Sequence, residues 1–158
     1  MLSKIMPVSR VVMIMAVAAL VIGIVFVYQG VSKANMITGQ MREEAVAASS
    51  FIEDAPEGDV IDTAAEAQKA ADTIKAHRQN IAPNYQALLA GGRYDPTNPS
   101  HLSYTQALNM ENYLYMGVFA LGFTQAVTAI GVFMILVGLA LGAVWLALRK
   151  KHTLASTS

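Results

Sequence analysis

The chain has no cysteine. Disulfides, thiolate-held metal sites and a lipid-modified cysteine anchor are therefore excluded. Charge is also scarce. Of 158 residues, 14% are Asp, Glu, Lys or Arg, while 54% are hydrophobic; soluble domains carry roughly 25% charged residues. There is no Gly-rich phosphate loop, no Ser-His-Asp or Cys-His arrangement and no basic patch interleaved with aromatics. Nucleotide cradling, nucleophilic hydrolysis and nucleic-acid binding each lack their usual residues.

What the sequence does have is length without charge. Asn112 to Leu148 is a run of 37 uncharged residues between Glu111 and the cluster Arg149, Lys150, Lys151. A membrane crossing needs about 20 apolar residues, so the run spans a bilayer and continues beyond it. A second uncharged run, Val11 to Ser32, has 22 residues and closes on Phe26 and Tyr28. Neither run contains an ionisable residue that could relay ions, which argues against a transporter or pore made by this chain alone. Lys4 and Arg10 before the first run, with Ser32-Lys33-Ala34 after it, also fit a secretory signal peptide. The apolar run exceeds the roughly 7–15 residues of such a signal, and a membrane span is the preferred reading of residues 1–34.

The formal net charge of zero conceals an asymmetry. Lys4, Arg10, Arg149, Lys150 and Lys151 give the two ends +5, whereas the segment from Lys33 to Glu111 carries six bases and all eleven acids. Short loops rich in Lys and Arg stay in the cytoplasm. The expected order is a cytoplasmic N-terminus (1–10), a first transmembrane helix (11–32) and an extracytoplasmic helical segment (33–111). A long helix (112–148) follows, whose part from about 126 to 148 is the second crossing, and then a basic cytoplasmic tail (149–158). The expected fold is an all-α membrane protein, a two-span antiparallel transmembrane hairpin with a small extracytoplasmic helical bundle.

Within the middle segment, apolar spacing extends the first helix to about Ile52, before Glu53-Asp54-Ala55-Pro56-Glu57-Gly58-Asp59 breaks it. Thr63 and Glu66 form a capping box that opens an Ala-rich helix with Ala67, Ala70, Ala71, Ile74 and Ile81 on one side. Pro83 ends it, Tyr85 to Ala90 makes a short turn stopped by Gly91-Gly92, and Arg93 to Ser100 is a Pro-bearing loop. A second capping box, Ser103 with Gln106, starts the last helix. Alignment of the two spans places Tyr113, Leu114, Met116, Phe119, Leu121 and Phe123 in the core of the bundle; left uncovered, they would mark a partner site.

Small residues recur every seven positions. They are Gly117, Thr124, Gly131 and Gly138 in the last helix, with Gly142 completing a Gly-x-x-x-Gly motif. In the first helix they are Ala16, Gly23 and Gly30, with Ala19-x-x-x-Gly23. Such stripes allow close backbone approach in lipid and mark helix-packing faces, inside the hairpin or against another chain. Trp145 suits the inner interfacial belt, and His152 in the basic tail suits anionic lipid headgroups.

The remaining chemistry centres on a candidate polar cluster of His77, His101 and Glu111. Acid–base or metal work would need the two histidines brought together with a carboxylate, which the spacing does not demand. Glu111 is the only acid of the last helix, and Lys75 or Arg78 is its expected partner. The acidic turn from Glu53 to Asp62 lacks the alternating Asp pattern of a calcium loop and reads as a solvated connection. No catalytic, cofactor-binding or metal-ligating residue is assigned.

The Ala-rich helix ending near His77, followed by Tyr85, Gly91-Gly92, Tyr94-Asp95-Pro96 and the aromatic approach to the last helix, resembles a group of small bacterial two-span membrane proteins of unassigned function. The likeness covers Ala64 to Gly142. Some members carry the label of aromatic ring-opening dioxygenase, which would imply iron held by two histidines and a carboxylate. In this chain that set would have to recruit His77 and His101. The resemblance implies a two-span topology and a bacterial inner-membrane setting. The expected function is a non-enzymatic accessory or scaffold subunit that packs against itself or a larger membrane complex, with the lipid bilayer as its solvent. The alternative is a ligand-sensing bundle signalling through a partner, since only ten residues follow Leu148; a metal-dependent enzyme ranks third.

Overall fold

The computed structural model describes residues 8–155, with side chains from 8 to 150. Lys4, Lys151 and His152 fall outside the described side chains. Among the described residues four helices follow in order: α1 (Val8–Glu43), α2 (Ala64–Ile81), α3 (Tyr85–Leu89) and α4 (Pro99–Ala155), with a 3-10 turn at Ala48–Ser50. No strand occurs among the described residues; one isolated antiparallel bridge pairs Ala47 with Val60.

α1 and α4 are long and apolar enough to cross a membrane. Their most apolar windows are only 17% and 11% buried, so Val17, Ile24, Phe133 and Leu139 point outward. Helices in the core of a water-soluble protein bury such side chains; helices solvated by lipid tails leave them on the surface.

The chain divides into two units. One comprises the chain up to Lys33 together with the chain from Thr124 onward; the other is Ala34–Phe123.

In the first unit the helices run antiparallel, with backbone against backbone at the glycines. A Cβ on Gly23 would lie 2.7 Å from the Gly131 carbonyl oxygen, and one on Gly131 would lie 2.7 Å from the Val27 amide nitrogen. On Gly30 it would meet Thr128 Oγ1 and the Thr124 carbonyl oxygen, and on Gly138 it would meet Leu20 and the Ala16 carbonyl. Such contacts admit no side chain, so glycine sets the helix separation and lets the two backbones make close dispersion contacts. Ala16 and Ala19 are buried on the same face.

The second unit has a core of Met41, Ala48, Ile61, Ala67, Ala70, Ala71, Ile74, Leu114 and Leu121. Helix α2 packs with four alanine or isoleucine positions at helical spacing, three of them with no exposed surface. Its start is the Thr63–Glu66 capping box, with Glu66 N–H donating to Thr63 Oγ1 at 3.2 Å and Thr63 N–H to Glu66 Oε2 at 3.1 Å. Ile81 ends it two residues before Pro83.

Three sequence expectations are corrected. α1 stops at Glu43 rather than Ile52, because Ala45 adopts a left-handed conformation (φ 48°). Beyond it the chain folds back, with Ala48 N–H donating to the Asp59 carbonyl and Ile61 N–H to that of Val46. α4 begins at Pro99, four residues before Ser103: Asn98 Oδ1 accepts from Ser100 N–H at 2.9 Å, and proline suits the first helical position. Finally, of the six residues assigned to the bundle core, Leu114 and Leu121 are buried, whereas Tyr113, Met116, Phe119 and Phe123 are exposed. An uncharged helix has more than one apolar face, and only one of them meets α1 and α2.

Candidate functional site

Residues of α2 and α4 build one buried polar node. Arg78 projects from the last turn of α2 among alanines, and its Nε donates to Glu111 Oε2 at 2.7 Å. Its Nη2 lies 3.4 Å from Glu111 Oε1, and Nη1 donates to the Tyr104 hydroxyl at 2.5 Å. The guanidinium also sits 4.9 Å from the Tyr104 ring centroid. The two charged side chains retain only 9% and 7% of their exposure. The Glu111 hydrogen bond raises Arg78 above its ordinary value, against the opposing effect of burial. No buried nitrogen or oxygen of the node lacks a hydrogen-bond partner, which permits it to exist in an apolar core.

The three residues of the candidate polar cluster are not assembled. Glu111 pairs with Arg78, one of the two bases expected for it. His77 is exposed, beside a cleft of about 400 Å³ lined by Phe51, Ser103, Gln106 and Met110 among others. His101 fastens the loop to α4: Asp95 N–H donates to Nδ1 at 3.0 Å, and Nε2 lies 3.2 Å from the Leu88 carbonyl oxygen. An acceptor role for Nδ1 places the ring proton on Nε2, which donates to Leu88. The Tyr94 ring stacks on the imidazole at 5.6 Å. Both ring nitrogens are thus committed to backbone. Among the described residues no group of three His, Asp or Glu could hold a metal ion, and the two-histidine-and-carboxylate set that ring-opening chemistry requires is not brought together.

No protein-family profile, curated protein or solved structure matches the chain. The functional reading rests on its own residues.

A second polar contact lies at the bundle surface. Tyr115 O–H donates to Asp72 Oδ1 at 2.7 Å, and Gln68 donates to Asp72 Oδ2 at 3.0 Å. The Gln68 bond, then the Tyr115 bond, holds the Asp72 carboxyl below its ordinary value, and Asp72 pushes the Tyr115 phenol up to about 12. In the loop, Thr97 donates through its hydroxyl and amide to Asp95, lowering that carboxyl too. The acidic connection forms an open cleft of about 730 Å³ whose lining includes Glu53, Asp54, Asp59, Glu66, Lys69 and Asp72. Thr38 and Arg42 of α1 close the other side of this connection by binding the Asp62 carbonyl and carboxylate.

The small-residue positions separate into two groups. Ala16, Ala19, Gly23, Gly30, Thr124, Gly131 and Gly138 lie buried on the facing sides of α1 and α4. A Cβ placed on Gly117 would lie at ordinary contact distance, 3.5 Å, from Met41, and nothing lies within 4 Å of one placed on Gly142. In the Ala34–Phe123 unit, one side of α4 is left uncovered, carrying Tyr113 (43% exposed), Met116 (71%), Phe119 (75%) and Phe123 (62%). Phe119 and Phe123 stack on each other at 6.5 Å. The sequence signal for this face was the charge-free run itself, which continues past the length a membrane needs.

Proposed function

We infer that the protein is a non-enzymatic accessory or scaffold subunit of a bacterial inner membrane. In this reading α1 and α4 cross the bilayer, both termini are cytoplasmic and the Ala34–Phe123 unit lies outside. The single observation that carries the reading is the exposed face of Met116, Phe119 and Phe123. Large side chains at i, i+3 and i+7 form one apolar stripe, and a stripe of that kind outside lipid marks an interface.

The bilayer is not needed to cover it. In the first unit the glycine contacts set Gly30 against Thr124 and Thr128, and Ala16 against Gly138. The 22 uncharged residues of α1 therefore lie beside roughly residues 124–145 of α4. Twenty-two residues of helix rise about 33 Å, the thickness of a hydrocarbon core. Met116 and Phe119 precede that layer, and a partner protein or a second copy is their natural cover.

The test is purification of the full chain in mild detergent, with co-purifying protein measured by mass spectrometry. A stoichiometric partner or a discrete oligomer is expected, and it should be lost in Phe119→Ser/Phe123→Ser, a change that removes no buried contact. A monomer without partner, or a partner retained by the double variant, overturns the reading. Single cysteines at Ser100 and Ser156 check the orientation; labelling of Ser156→Cys from outside refutes it.

A further inference from the structure

The glycine seam between α1 and α4 does not close along its whole length. At Gly138 the helices are tight, a Cβ there falling 2.7 Å from Leu20. One turn further along α4, a Cβ on Gly142 would meet nothing within 4 Å. The space that opens is a groove of about 410 Å³ lined by ten residues, all apolar, from Met13 to Leu20 on α1 and from Gly138 to Leu146 on α4.

The groove leads to positive charge. Trp145 and Leu146 are in its wall, and Arg149 and Lys150 follow each of them by four residues, on the same helix faces. The Arg149 guanidinium lies 5.7 Å from the Trp145 ring centroid. On α1, Arg10 precedes the wall residues Met13 and Val17 by three and seven positions, again on one face. No acidic residue occurs in the sequence from 1 to 42 or from 112 to 158. An apolar slot inside the bilayer that ends at two or three cations has the two-part chemistry of an acidic lipid.

We propose that this groove seats an acyl chain of an anionic phospholipid, whose phosphate is held by Arg10 and Arg149. The proposal rests on the hairpin crossing a bilayer and is independent of the partner reading. Charge decides against a second copy as the occupant, because a copy docked here would bring its own basic cluster against this one. It also decides against a zwitterionic lipid, which gains less from a cationic rim; each Lys or Arg near a membrane surface favours anionic lipid appreciably.

The test uses the full chain in detergent micelles doped with phosphatidylglycerol or with phosphatidylcholine of identical chains. Bound lipid is counted by native mass spectrometry. Wild type should retain one phosphatidylglycerol with a preference on the order of 30-fold, the size expected from two cationic side chains. Gly142→Leu, whose side chain would occupy open space, should abolish that retention while leaving helix content unchanged. Val17→Trp does the same from the opposite wall and serves if the first variant misfolds. Arg10→Gln/Arg149→Gln should keep lipid but lose the preference. Equal retention of the two lipids by wild type overturns the proposal, as does undiminished phosphatidylglycerol in a folded plugged variant. Disulfide-linked dimers through Leu146→Cys would assign the groove to a second copy instead.

Discussion

Replacing Glu111 by Gln should strongly destabilise the Ala34–Phe123 unit. Glu111 is the counter-charge of Arg78, and both side chains are more than nine-tenths buried. Gln keeps one acceptor oxygen but removes the counter-charge, leaving a guanidinium in the core with only neutral side-chain partners, the Gln amide oxygen and the Tyr104 hydroxyl. Uncompensated buried charge of this kind costs about 3–5 kcal/mol. At roughly 4–8 °C per kcal/mol for a unit of this size, the melting temperature should fall by roughly 12–40 °C. Arg78→Met should do the same through the stranded carboxylate. The double variant Arg78→Met/Glu111→Leu removes both charges and fills their volume with apolar atoms, so it should return to within about 1 kcal/mol of wild type, the residue being the lost Tyr104 bond. The assay is thermal unfolding of the full chain in detergent, followed by circular dichroism. Single variants that melt within a few degrees of wild type, or a double variant as unstable as the singles, would refute the claim that a desolvated pair organises this core.

The glycine seam predicts opposite outcomes for one substitution at two places. Gly131→Ala forces the helices apart and should destabilise the hairpin by about 1–3 kcal/mol in a detergent-unfolding assay, whereas Gly39→Ala, with nothing within 4 Å of the added carbon, should stabilise α1 by about 0.5–1 kcal/mol. Ala45→Gly relieves a left-handed alanine and should raise stability by about 1 kcal/mol in a chemical-denaturation series. The Asp72–Tyr115 bond sets a pH window. Asp72 titrates below its ordinary 3.8, so its contribution is present above that value and is lost as pH falls through the lowered one; Tyr115 titrates near 12 rather than 10.0, so its contribution is present below 10 and is lost as pH rises through 12. The stability difference between wild type and Tyr115→Phe should therefore be flat from about pH 4 to pH 10 and shrink outside it; a difference that varies near neutral pH would show that another group governs the contact.

The features legible in the sequence are those in which one residue type has one physical use. A Thr three residues before a Glu at the head of an Ala-rich stretch has a single good reading, and the cap forms. Uncharged runs of 22 and 37 residues give helices of spanning length, and glycines at sevenfold spacing lie where helices meet. Glu111, the only acid of the last helix, required a base, and Arg78 stood on a candidate facing helix. Elsewhere several uses compete. The end of α1 was invisible because an alanine, which normally extends helices, takes the left-handed conformation that glycine usually marks. Asn98-Pro99 is a helix start, but two prolines in a loop read equally well as turns. The faces of α4 were ambiguous for a deeper reason: with apolar residues all around, periodicity cannot distinguish Leu114 from Phe119, and only the positions of α1 and α2 decide which is covered. The fastening role of His101 gave no signal, because both of its ring nitrogens bind main-chain atoms that the sequence does not display.

A sevenfold repeat of small residues creates a problem of degeneracy. If α1 slid by seven residues, about 10 Å, small positions would again face small positions, and a seam of pure glycine could not tell the settings apart. Two members that break the repeat remove the ambiguity. Sliding one way would put Thr124 where Gly131 now sits, and a Cβ there is 2.7 Å from the Val27 amide. Sliding the other way would put Trp145 where Gly138 meets Leu20 and would draw Arg149 to the level that Gly142 now holds. The glycines set how near the helices come, whereas Thr124 and Trp145 act as stops that fix which of three otherwise similar alignments the hairpin adopts.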